Sequence, residues 1–537
     1  MMKKVWIVHL LLLCLFFSPG CKRKQNGASN TTVHLYLQAE PFSLDPRVGG
    51  DRRSQVILRD LFEGLCRLGK DGTIELALAK SYSISSDGLE YTFHLRDALW
   101  SNGEKVRAQD FCYAWKSALS PQFTTSYAYP FFVLKNGKKA KMDECSLSDV
   151  GVAALDDHTL QVTLEHPTPY FLELTANPIF LPVCEKIANA DPSWSKNSFP
   201  HYVCNGPFLL KEHVLKSHII LERNPLYWNK DCAKAFRISF PIIEQPSTAY
   251  ALFERGELDW FGDPCGLCDL EIIQKLTLEG SLSLADTGSI YWMISCTKKP
   301  YLASAKIRHA IASSISRGDL CYLLLKGGER PSHSIVPSFL SALKKPAFQD
   351  GNAEYANKCF EEGLKEVGLT RETFPTLTLT HWAEPMSRLM AEYLQQKIKT
   401  TLHIHVDLEN CDWGTYLQKT HSGNIDLATA AWLSWVSDPI YNLQFLKYTN
   451  NGINGTCWQN ERYKELLDQA EATNSLSERE KYLKQAEEIA AQELPLIPLF
   501  EIANKYTKAP GVCGEVVSRI GMFTFKWLEK KPDQKHS

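Results

Sequence analysis

Signatures of catalysis are missing from this chain of 537 residues. It has no G-x-S-x-G elbow, Walker A loop, H-E-x-x-H or G-x-G-x-x-G. The common sequence routes to acyl transfer, phosphoryl transfer, zinc hydrolysis and dinucleotide binding are therefore closed. An active site would have to be assembled by folding alone, and we expect no enzyme and no cofactor. The 15 histidines form no cluster. His403 and His405 alternate along what reads as a strand, with no cysteine or carboxylate set beside them, so they are expected to face solvent rather than hold a metal. The formal net charge is only -2 and the body lacks an extended basic run, which removes the electrostatic footprint of nucleic-acid binding. No internal repeat appears. Beyond the amino terminus, no apolar run approaches the length of a membrane span.

The chain is too long for one ordinary core, so two or three domains are expected. Apolar residues make up 44% and charged residues 22%, an ordinary globular balance. Aromatic residues reach 11%, suited either to a large core or to the wall of an amphipathic ligand cavity. At the amino terminus, Lys3 and Lys4 precede an apolar run from Val5 to Phe17 and then Ser18-Pro-Gly-Cys21. This reads as a cleaved secretory signal over residues 1–20. Gly20-Cys21 resembles the end of a bacterial lipoprotein box, with Ser18 where such boxes usually carry leucine. Lipidation of Cys21 and a plain secretory signal both fit. A lipidated Cys21 would tether the body to a membrane through the polar linker 21–32. Of 16 cysteines, fourteen would remain after Cys14 and Cys21, in a compartment that permits disulfides. Cys265-Gly-Leu-Cys268 is a lone C-x-x-C, expected to be a structural bridge or two independent thiols.

Several stretches carry a recognisable order. Val33–Leu37 alternates as a strand and leads to Glu40-Pro-Phe-Ser-Leu-Asp-Pro46. Leu61-Phe-Glu-Gly-Leu65 follows, with Gly64 placed to cap a short helix. Tyr91–Arg96 is a half-buried strand, Trp100-Ser-Asn-Gly103 a turn, and Val106–Trp115 the start of a helix. Residues 150–155 and 159–164 form a hairpin about Asp156-Asp157. Asn205-Gly-Pro-Phe208 and Leu221-Glu-Arg-Asn-Pro-Leu-Tyr-Trp228 come next. Ala303–Leu325 reads as one helix. Leu377–Thr380, Met386–Lys399 and Leu402–Leu408 read as a βαβ unit. One or two charged helices span Arg462–Ala491, a last strand begins after Pro495, and the polar tail past Trp527 reads as disordered.

Taken in order, "Y-T-F-H-L-R", "W-S-N-G", "V-x-A-x-D-F", "N-G-P-F" and "L-E-R-N-P-x-Y-W" resemble the solute-binding proteins of peptide/nickel ABC importers (extracellular solute-binding family 5), in particular the oligopeptide-binding branch. The resemblance implies an α/β, two-lobed periplasmic-binding-protein fold (type II, three-domain cluster C) with a hinge between lobes. It implies domain I at 33–62, 183–287 and 503–527, domain II at 63–182 and domain III at 288–502. It also implies an oligopeptide or peptide-like ligand, an ABC permease as partner, an envelope or periplasmic location and a monomer. A protein that kept this fold as a surface adhesin or signalling module is the alternative.

The same resemblance assigns ligand-binding roles to Tyr127, Tyr291, Trp413, Ala430, Trp432, Ser434, Trp435 and Asp438. Peptide would lie extended against Asp426–Trp432 and bond main chain to main chain. Core burial is the competing role for each aromatic residue. The departures from the pattern are informative. Trp435 stands where such binders carry the aspartate that pairs with a peptide's α-ammonium, and Thr420 and Thr429 stand where arginines would meet peptide C-termini. Asp438 could supply the missing charge. The resemblance thus implies a peptide-like ligand with an altered anchor, such as a short, modified or cell-wall peptide.

Overall fold

A computed structural model describes residues 31–125, 127–448 and 454–531. The signal 1–20, Cys21 and nearly all of the linker lie outside the described residues. Among those described, no helix is long and apolar enough to cross a membrane and no group of His, Cys, Asp and Glu is placed to hold a metal ion.

Three sheets organise the chain. The first has the order Thr32–His34, Arg237–Pro241, His218–Arg223, Phe208–Val214, parallel in its first pair and antiparallel after it. The second is antiparallel, in the order Ala79–Ile84, Glu90–Leu95, Thr159–Thr163, Val152–Asp156. Its strand Glu90–Leu95 buries Tyr91, Phe93 and Leu95 and leaves the alternate residues outward, as its period of two requires. Beside it, Asp110 joins the turn to the following helix Ala108–Leu119. One carboxylate oxygen accepts from the Trp100 indole (3.1 Å) and the Arg107 amide (2.9 Å), and the other accepts from the Glu185 amide (3.2 Å). These two sheets share one core with Phe62, Trp100, Trp115, Phe180 and Trp260.

The third sheet is mixed and seven-stranded, running Trp260–Gly262, Leu496–Lys508, Ser283–Ser295, Leu427–Trp432, Leu377–Trp382, Val406–Cys411, with Arg330–Pro331 beside Leu496–Lys508. Its inner strands are apolar on both sides because helices cover both faces. Tyr291 and Met293 join a core with Ile311, Phe360 and Leu394, whereas Ile290, Trp292 and Ile294 join another with Phe445 and Leu467.

The two lobes are linked by the longest strands, Ser283–Ser295 and Leu496–Lys508. They pair from Ser283/Tyr506 to Asp286/Ala503, lose register, and pair again from Ile290/Glu501 onward. Ala285 and Tyr506 pack in the first core, while Tyr291 and Phe500 pack in the second lobe. The break at 287–289 therefore sits between the cores, where the two-lobed fold needs its hinge.

Several local expectations need correction. The helix Arg52–Leu61 ends before Phe62, so Gly64 lies in extended chain and caps nothing. Ala303–Leu325 is not one helix. It breaks after Ser314 and resumes as a wide turn over Asp319–Leu325, because the buried Arg317 turns inward to bond Pro498 O (2.7 Å), Ala312 O (3.0 Å) and Asp350 (2.7 Å). The helix Pro385–Leu402 runs through Leu402, so the next strand is Val406–Cys411. His403 is the left-handed cap of that helix (φ 56°) and His405 precedes the strand. Both are exposed, but neither lies on a strand. Glu529–Lys530 pairs with Val512–Cys513, which orders the chain just past Trp527. All fourteen described cysteines are free thiols. Cys265 and Cys268 are thus independent, and burial pushes both thiols up, Cys268 to about 12.

Candidate ligand-binding site

The strand Leu427–Trp432 pairs along its whole length with Ser295–Ile290 on one side. On the other side it pairs with Leu377–Trp382 only at Leu427 and Ala428, while that neighbour continues to Trp382 against Cys411. The two parallel strands therefore part after Thr380 and Ala428 and form a fork. Along the arm Thr429–Trp432, backbone groups on the fork side have no strand partner among the described residues. Thr429 O is taken by the Tyr416 hydroxyl. An unpaired edge at the carboxyl ends of parallel strands is a natural place for an extended ligand to add.

Aromatic rings line this fork. Trp382 at the end of one arm meets Trp413 edge-on (5.9 Å) and Tyr416 edge-on (5.5 Å), and Trp413 stacks on Tyr416 (5.5 Å). Trp413, the first residue of the helix Trp413–Ser422, remains 58% exposed. On the other arm Trp432 stacks on Trp292 (6.2 Å) and lies against Phe445 (5.1 Å) and Tyr441 (5.6 Å). Ala430 is half-buried opposite Trp292. Tyr291 is buried, stacked on Phe500 at 5.0 Å, with its hydroxyl toward Thr429 and Ser387 and raised by that burial. It belongs to the core rather than to an open wall.

Past Trp432 the chain leaves the sheet and crosses to the other lobe. Ser434 Oγ donates to Gly288 O at the hinge. Val436 is fully buried in the first lobe's core. Ser437 donates to Glu173 through its amide and hydroxyl, both at 2.8 Å, and the Asn177 side chain donates to Trp435 O at 3.4 Å. The Glu173 carboxyl is raised by its burial and lowered in part by the Ser437 bonds. Trp435 stacks on Tyr127 (6.1 Å) and meets Tyr129 edge-on (5.8 Å), and the Tyr129 hydroxyl reaches that of Tyr441 at 3.2 Å. Tyr127 in turn covers Gly50, where a Cβ would fall 2.2 Å from the ring. Trp435, where the resemblance leads us to expect an acid, thus lies in an aromatic stack drawn from two distant segments, 127–129 and 435–441.

Asp438 does not restore that charge. Its oxygens bond Arg479 at 2.8 and 2.9 Å and cap the helix Pro439–Leu443 through the Ile440 amide (3.0 Å). The carboxylate is buried and already balanced. Thr420 is also spent, bonding back to Tyr416 O at 2.9 Å. The structure therefore brings Trp413, Ala430 and Trp432 to the fork, Ser434 and Trp435 to the crossing arm, and Tyr127 beneath it, whereas Tyr291 and Asp438 serve the core. Trp382, Tyr416, Tyr129 and Glu173 were not foreseen.

Comparison with known proteins agrees with this geometry. Residues 73–454 match the bacterial extracellular solute-binding proteins, family 5, middle region. The oligopeptide-binding protein OppA of Bacillus subtilis is 34% identical over 540 residues, which cover 98% of this chain and 99% of that protein. The murein tripeptide-binding protein MppA of Escherichia coli superposes with a TM-score of 0.79 at 26% identity, covering 93% of this chain and 98% of that one. Peptide-bound OppA of Listeria monocytogenes gives a TM-score of 0.75 at 25% identity, covering 94% and 100%. The chain belongs to family 5 of the bacterial extracellular solute-binding proteins, with the two-lobed fold of its relatives.

Proposed function

We propose that this chain is the substrate-binding component of an ABC importer, that it encloses a peptide or peptide-like ligand between its lobes, and that it delivers the ligand to the permease. The observation that carries this reading is the fork at Thr429–Trp432, an unpaired strand edge walled by Trp382, Trp413 and Trp432. Backbone bonds along that edge would supply affinity without selecting side chains, and the aromatic walls would accept varied apolar groups. Trp413, Ala430 and Trp432 form the wall, Ser434, Trp435 and Tyr127 the end beside the hinge. That end presents rings rather than an acid. Burying an ammonium there without a counter-ion would cost roughly 3–5 kcal/mol, so the preferred ligand has its amino end in solvent, blocked, or absent. Peptide-binding relatives with cell-wall and oligopeptide ligands support this class. No step of bond chemistry is required.

The reading extends to the envelope. Residues 1–20 are removed as a signal, Cys21 carries lipid, and residues 21–32 hold a monomeric body off the membrane. Domain I comprises 33–62, 183–287 and 503–527, domain II 63–182 and domain III 288–502. The separate sheets at 79–163 and 377–432 support that division.

Calorimetry with a random peptide pool, glutathione and muropeptides tests the central reading. Saturable heat from at least one class is expected, and no heat from any of them with folded protein overturns it.

A further inference from the structure

Two thiols far from the aromatic arm lie together at the base of the ligand strand. Cys296 follows the strand Ser283–Ser295 and is buried; Cys457 is half-buried. Their segments run side by side: Thr297 donates to Thr456 O through its amide (2.8 Å) and hydroxyl (3.0 Å), across 159 positions of sequence. The Cys296 amide bonds Asp426 O (3.0 Å), immediately before the ligand strand, and its thiol donates to Gly423 O (3.3 Å). Both sulfurs face Gly423. A Cβ there would lie 2.3 Å from Cys457 Sγ and 3.8 Å from Cys296 Sγ, and Gly423 has φ 69°, so only glycine leaves room for the pair. Burial, with a contribution from the adjoining Cys457 thiol, holds the Cys296 thiol up. Cys457 itself adopts φ 55°, uncommon for a residue with a side chain.

We infer that Cys296 and Cys457 are a modification site, forming a reversible disulfide when the chain meets a small-molecule or protein disulfide as oxidant. The more accessible Cys457 attacks the external disulfide as a thiolate and expels one thiol. The buried Cys296 then attacks Cys457 Sγ in the mixed disulfide and expels the second. Two protein thiols are oxidised, the external disulfide is reduced, and the two thiol protons pass to the leaving groups. The cross-link ties the end of the strand Ser283–Ser295 to the segment at 454–458, beside the start of the ligand strand and the end of the helix Trp413–Ser422. It neither requires nor excludes the peptide reading.

The test is to treat the folded full chain with oxidised glutathione, alkylate in denaturant and map unreduced peptides. A single cross-linked pair joining Cys296 to Cys457, lighter by two hydrogens and opened by reductant, is expected, with a higher melting temperature. The Cys296→Ser variant is expected to trap glutathione on Cys457, and the Cys457→Ser variant to leave Cys296 unmodified. If both cysteines are recovered singly alkylated from oxidised wild-type protein, or are cross-linked elsewhere, the proposal fails, and this readout needs no variant to fold.

Discussion

Under the proposed function, Trp435 is the residue on which ligand choice turns. Its ring stacks on Tyr127 at 6.1 Å and meets Tyr129 at 5.8 Å, and the proposed function sets it where an anchoring acid would otherwise stand. Trp435→Asp exchanges that stack for a charge. Binding of free-amino peptides is expected to tighten by about tenfold or more, about 1.4 kcal/mol, while the protein loses roughly 1–3 kcal/mol of stability from the vacated half-buried ring. Calorimetry and urea unfolding read the two effects separately, and a free-amino peptide bound no tighter would remove Trp435 from the ligand. Asp60 offers a second test at this scale. It is fully buried, and desolvation raises its carboxyl to about 7 against the partial relief of Lys526 and Thr524. The folded state therefore holds this proton more tightly than the unfolded state, so the stability it contributes is full below the ordinary carboxylate range and is lost as pH rises to about 7. Asp60→Asn is expected to gain stability relative to wild type across that window, by roughly 2–4 kcal/mol in all, and to hold a constant difference above it. Urea midpoints measured between pH 5 and 8 would contradict this by showing a difference independent of pH.

At the scale of elements, the segment 433–438 matters more than its irregular backbone suggests. It plugs Val436 into the opposite lobe and donates twice to Glu173. Glu173→Ala removes both bonds and leaves the Ser437 donors without a partner, a loss of about 1–3 kcal/mol. Small-angle scattering of the ligand-free protein is expected to show a larger radius of gyration for this variant, and an unchanged radius would mean the arm does not restrain the lobes. Elements such as these were unevenly legible in the sequence. The strand Glu90–Leu95 could be read because its alternation is its burial. The hairpin at 152–163 could be read from its turn. The helix break after Ser314 could not, since it is imposed by the buried Arg317 reaching Pro498 O, a tertiary bond with no local signal. The end of the helix at Leu402 was missed because Thr400 and Thr401 favour a strand locally while the buried Ile398 and Leu402 keep the helical period. Trp413 and Trp432 were placed at the site by motif position. The fork that makes them a wall arises from where two strands part, and a sequence does not record that.

The whole molecule is two lobes joined by two long strands whose register breaks at 287–289. Side chains on either side of that break belong to different lobes, so closure about it would bring the fork at Thr429–Trp432 toward the first lobe. A bound ligand is accordingly expected to reduce the radius of gyration in solution scattering, whereas binding without compaction would place the ligand outside the cleft. The account's central claim is backbone recognition at the strand edge with no ammonium anchor. Titration of one binding peptide in its free-amino and N-acetylated forms tests it most directly. The account predicts that the N-acetylated form binds at least as tightly as the free-amino form; a loss of more than about tenfold on acetylation, about 1.4 kcal/mol, would show that an ammonium is clamped after all and would contradict it.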